Sequence, residues 1–245
     1  VDPESQRTIW SRGFASLYGE WETTGEAKRA RRTFHESQRL PEPRRPVQLL
    51  LKKRAPDGTF RELSSQLVDP TSRFVDRSPM TGPGQAGVLF ESGPGATKVD
   101  LLVLSDGYTA AERAKFEADV KRLAGVMFET EPFKSRKGEF NVRTLHLPTA
   151  ESGISNPRKG IWRDSSLGLS FNAFDSDRYV LTFENKRVRE AAAQLPYDAM
   201  ILLFNDRKYG GGGIFNLYAT VASDTEPAPY VFAHEFGHSF AGLAD

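Results

Sequence analysis

Apolar and polar positions alternate in one way up to about residue 93 and in another way after it. In the first part, residues 8–21 set Ile9, Trp10, Phe14, Leu17, Tyr18 and Trp21 among polar neighbours, a rough strand-like pattern. Residues 46–53 read as a second strand. The Pro56-Asp57-Gly58 turn then leads into 59–67, which predicts a hairpin. A stretch rich in Gly and Pro follows at 78–84 and again at 92–95, and it predicts a boundary between a β-rich domain, 1–93, and a second domain, 94–245.

The second part alternates strands and helices. Residues 99–104 form a short apolar run that suits a buried strand. Thr109 with Glu112 makes a capping box opening a helix to about Phe128, lined by Phe116, Val120, Leu123, Val126 and Met127. A strand at 140–147, an irregular stretch from 149 to 179, a helix at 184–195 and a buried strand at 199–204 come next. Four glycines, 210–213, lead into 214–222, which alternates like an edge strand. A helix over 229–241 is stopped by Gly242. The order β-α-β-α-β-β-α predicts a twisted sheet with helices packed on it, and an α+β class for the whole chain.

Composition narrows the chemistry. The chain of 245 residues has no cysteine, which removes disulfides, thiolate metal sites and cysteine nucleophiles. A formal net charge of +1 gives no general case for nucleic acid. The excess of twelve Lys/Arg over seven Asp/Glu in 1–54 reads as a basic surface. No apolar run is long enough to span a bilayer. The sequence opens without a signal segment and stops at a motif, so the natural protein is expected to continue past Asp245.

That motif is His234-Glu235-Phe236-Gly237-His238. Histidines at i and i+4 share one helix face, so both imidazoles reach a single ion, and zinc suits neutral nitrogen donors. Glu235 lies beside the ion, where it can take a proton from the attacking water and pass it to the leaving amine. Two of the chain's four histidines sit in this pattern; His35 and His146 read as structural. A catalytic zinc needs a third protein ligand. In the metzincin pattern a glycine follows the second histidine by three residues and the third ligand by six. Here Gly242 and Asp245 come at four and seven, which makes Asp245 the candidate, either as a direct ligand or as an acceptor for a histidine N–H. Gly211, Gly212 and Gly213 either let a substrate backbone approach closely or form a flexible turn. Tyr209 and Tyr218 are weaker candidates for hydrogen bonds to a tetrahedral intermediate. Asp106 ends a strand before a helix and serves a site or a turn.

The run His234 to Asp245, HEFGHSFAGLAD, resembles the signature of the immunoglobulin A peptidase family of bacterial zinc metallopeptidases. Leu104-Ser105-Asp106-Gly107-Tyr108-Thr109, Glu131-Pro132-Phe133, Glu151-Ser152-Gly153, and Asn205 with Tyr209 and its glycines resemble it too. The resemblance implies an N-terminal β-sandwich before a metzincin-like catalytic domain, secreted or at the cell surface. It also implies zinc on His234, His238 and Asp245, Glu235 as general base, and protein or peptide substrates. The family motif runs on where this sequence stops. No methionine follows His238, so a Met-turn would belong to chain beyond residue 245. A non-catalytic surface module that binds protein or glycan is the alternative, and the intact Glu235 argues against it.

Overall fold

A computed structural model of the chain describes residues 1–244. Two compact units emerge. One is made of Val1–Gly13 and Ser37–Pro79, the other of Phe14–Glu36 with the chain from Met80 onward.

In the first unit, β1 (Val47–Arg54) and β2 (Phe60–Val68) form the expected antiparallel hairpin, with Val47 opposite Val68 and Arg54 opposite Phe60. A bulge falls between Leu51 and Lys52. The turn is held by Asp57, whose Oδ1 accepts the Thr59 amide at 3.0 Å. Among the described residues this ladder is the unit's regular structure, without a second sheet layer over it.

Residues 8–16 form no strand. They lead into α1 (Leu17–Glu22), capped by Ser16, whose Oγ accepts the Gly19 amide. Phe14, Leu17, Tyr18 and Trp21 are spaced i, i+3, i+4, i+7, a helical period. Leu17 and Trp21 are accordingly buried, and in the larger unit, which is why the partition does not follow a single cut near residue 93.

The larger unit is an α+β domain on a six-stranded mixed sheet, in the order β3-β5-β4-β6-β8-β7. Its strands are β3 (Gln85–Phe90), β4 (Val99–Asp106), β5 (Phe140–His146), β6 (Ala199–Phe204), β7 (Gly211–Ile214) and β8 (Tyr218–Ala222). The central four are parallel, and β3 and β7 lie antiparallel at the two edges. Alternate residues feed opposite faces, as the pleat requires. Leu101 and Val103 of β4 join one apolar cluster with α2 (Arg113–Met127) and α4 (Ala228–Phe236). Leu102 and Leu104 join another with α1 and α3 (Asn185–Ala192). The capping box before α2 forms, with the Thr109 amide donating to Glu112 at 2.8 Å. Of the apolar residues expected to line α2, Val126 faces solvent.

The expected edge strand at 214–222 divides into a hairpin. The glycines themselves form the edge, Phe215-Asn216-Leu217 make the turn, and β8 lies inside the sheet. Alternation over 214–222 reads as one strand; glycine's weak strand propensity hides β7, which lies almost wholly before it.

Candidate metal centre

Helix α4 owes its orientation to its apolar face. Ala228, Val231, Phe232 and Phe236 recur at helical spacing and are buried against the sheet, with Phe236 on Phe133. The opposite side therefore carries His234, Glu235 and, one turn on, His238, all half-buried. Pro229 in the first turn costs no hydrogen bond there.

At Gly237–Ala241 the α-helix widens into a π turn, which contains His238. Gly242 closes it in the left-handed conformation, at φ 66°. The Gly242 amide donates to the His238 carbonyl at 3.0 Å and the Leu243 amide to Gly237 at 3.4 Å. Each bond spans one residue more than in the ordinary glycine-closed cap. The π turn accommodates the four-residue step from His238 to Gly242.

The two imidazoles converge. Their Nε2 atoms lie 3.0 Å apart, with the rings perpendicular. Two nitrogens bound tetrahedrally at zinc distances would be about 3.3 Å apart, so the pair fits an ion held by both. His238 Nδ1 lies 2.6 Å from the Leu243 carbonyl oxygen, which can only accept. The proton therefore sits on Nδ1, and the Nε2 lone pair is left facing His234. The exposed Tyr230, four residues before His234, stacks on its ring at 5.5 Å.

Glu235 lies over β7. A Cβ added to Gly211 would come within 3.2 Å of one Glu235 carboxylate oxygen, and one on Gly213 within 3.2 Å of the other. A Cβ on Gly213 would also stand 2.5 Å from the Glu235 carbonyl and 2.7 Å from His238 Cβ. Gly212 faces the other side, against the Tyr179 ring. The glycines thus let the histidine helix pack directly on the edge strand.

Among the described residues no group of three His, Cys, Asp or Glu side chains gathers around one point. Asp245 lies outside them. The other candidates are placed in the framework. Tyr218 is buried and donates to the Thr182 carbonyl at 2.8 Å. Tyr209 is exposed, and His35 lies 3.5 Å from Asn185. Asp106 is fully buried, and burial pushes its carboxyl above the usual range. It accepts the amides of Gly107, Leu167 and Leu169 and the Ser165 hydroxyl, which ties the irregular stretch to the sheet. Asn205 donates to Glu112 at 3.0 Å and Ser152 at 2.8 Å, and the Gly153 amide donates to Gly107 at 2.8 Å. Several segments that carried the family likeness outside the histidine motif therefore meet as a clamp at the carboxyl ends of β4 and β6. The Leu243 carbonyl had no sequence signal, because any residue supplies one; Tyr230 was legible as an i, i+4 neighbour.

Comparison with known families gives two matches that together span most of the chain. A family model described as IgA Peptidase M64 matches residues 88–245, and one described as Peptidase M64 N-terminus matches 1–65. No curated protein sequence matches significantly.

Proposed function

The chain belongs to the M64 family of IgA peptidases, and from that premise we propose that it is a zinc-dependent endopeptidase acting on protein substrates. The observation that carries this reading is the 3.0 Å approach of two Nε2 atoms beside a carboxylate on the same helix. His234 and His238 would hold the ion through Nε2, with Asp245 as third protein ligand. When bound, zinc polarises the scissile carbonyl and lowers the pKa of water toward neutrality. The Nδ1–H bond to Leu243 keeps the His238 ring from turning. Glu235 takes the proton of the attacking water on a carboxylate oxygen and returns it to the leaving nitrogen, which balances the hydrolysis. The glycine edge beside Glu235 supplies a surface along which an extended substrate can lie. The edge strand antiparallel to its neighbour and backed by the histidine helix supports a metzincin-like arrangement as part of this reading. A sandwich in the N-terminal domain and a secreted or cell-surface location belong to the same family expectation.

Zinc binding and hydrolysis of an unstructured protein test the reading together. Glu235→Gln should keep about one equivalent of zinc and lose about 10²–10⁴-fold in kcat/KM. Full activity in that variant would remove Glu235 as the base.

A further inference from the structure

Strand β7 is an outer edge of the sheet, yet its outward hydrogen-bonding groups are partly taken at both ends. Gly210, Gly212 and Ile214 turn their peptide groups toward β8, as the Ala222 amide bound to the Gly210 carbonyl and the hairpin bond from Leu217 to Ile214 show. Gly211, Gly213 and Phe215 consequently face outward. At Gly211 the amide donates to Arg178 at 3.1 Å and the carbonyl accepts from Val180 at 3.2 Å. At Phe215 the carbonyl accepts the Ala15 amide at 3.0 Å. Between them the outward N–H and C=O of Gly213 meet no described residue. Gly213 is also the glycine pressed against His238 and Glu235.

From Gly211 to Phe215 the edge runs about 13 Å. An extended polypeptide pairing at Gly213 would overrun one end or the other. The two obstacles are anchored differently. Val180 and Leu181 are fully buried, paired through Ser170, and held by Thr220, whose hydroxyl donates to Val180 at 2.6 Å. Ala15 is only half-buried where it packs on the apolar cluster of α1 and α3, and it bonds the edge through one amide. The buried anchors of its segment begin at Leu17, after the Ser16 cap.

We propose that residues 14–16 are a strap lying on the substrate-binding edge, which must leave Phe215 before an extended polypeptide can bind beside the histidine helix. The strap pivots at Ser16 while Leu17 and Trp21 stay in the core. This rests on the peptidase reading for the identity of the substrate, an extended polypeptide backbone, but not for the geometry of the edge.

Ala15→Pro removes the bonded N–H, and a proline just before a helix cap is tolerated. Ala15→Gly keeps the N–H and serves as control. Both are made in the full chain carrying Glu235→Gln, and binding of a fluorescent library of peptides about twelve residues long is followed by anisotropy. The proline variant should bind about tenfold more tightly than the glycine variant, because the open state no longer competes with the strap. Equal affinities overturn the proposal. A second measurement does not depend on that variant folding. In the wild-type chain, hydrogen exchange at the Ala15 amide should speed up when the same peptides are added; unchanged protection also overturns it. Tighter binding by Ala15→Pro, together with no proteolysis by the zinc-loaded chain carrying the native Glu235, would sink the peptidase reading and leave the strap standing. Equal affinities with activity lost in Glu235→Gln would do the reverse.

Discussion

His146 ends β5 with both ring nitrogens buried and without a hydrogen-bond partner, packed 5.8 Å from the Phe116 ring. Burial holds its pKa below the usual histidine value. The unfolded chain therefore binds the proton more readily than the folded one. The stability this residue permits is complete above about pH 6.5 and is lost as pH falls through that value toward the folded pKa. His146→Phe should flatten the fall in denaturation midpoint between neutral and mildly acid pH, and an unaltered slope would clear His146 of the effect. Glycines divide by what surrounds them. At Gly213 an added methyl meets the Glu235 carbonyl and His238 Cβ, neither of which can rotate away, so Gly213→Ala should cost about 1–3 kcal/mol. At Gly125, exposed in the last turn of α2 with open space around it, alanine should stabilise by up to about 1 kcal/mol. Chemical denaturation of the two variants checks the contrast, and shifts of the same sign would refute it.

Helix α4 with its π turn, and the irregular stretch between β5 and α3, show how elements carry the site. The helix was readable from its spacing, because an apolar face at 3.6-residue period leaves the histidines on the other side whatever the rest of the fold. The π turn was not, since one widened turn leaves no mark in residue type. The four-residue step from His238 to Gly242 fits that wider turn. The irregular stretch depends on Asp106, a single carboxylate that receives four donors. Asp106→Asn places an amide N–H against those donors and should destabilise by about 1–3 kcal/mol. Faster hydrogen exchange at Leu167 and Leu169 than in the helices should accompany the loss. Exchange that rose evenly across the larger unit would show that Asp106 is not a local clamp.

For the whole molecule, the zinc site proposed on α4 would link metal binding to stability. Zinc at about a hundred times its dissociation constant should contribute about 2.7 kcal/mol. For a domain of this size that raises Tm by about 5–10 °C, and a chelator should reverse it. Asp245→Ala should shrink the shift if the carboxylate is a ligand; an undiminished shift would take it out of the metal's coordination. A wild-type Tm indifferent to both zinc and chelator would count against the metal centre as a whole.

The sequence by itself determined the α+β class, the hairpin of β1 and β2, the alternation of strands and helices from β4 onward, the capped helix α2 and the histidine helix. All of these follow from periodicity and local capping, which depend on near neighbours in the chain. Only the tertiary structure decided that 14–36 packs with the larger unit, that the glycines are the edge strand, and that Ala15 lies on that edge. Those outcomes depend on which backbone groups meet across long separations, and a backbone amide or a missing Cβ looks the same in every part of a sequence.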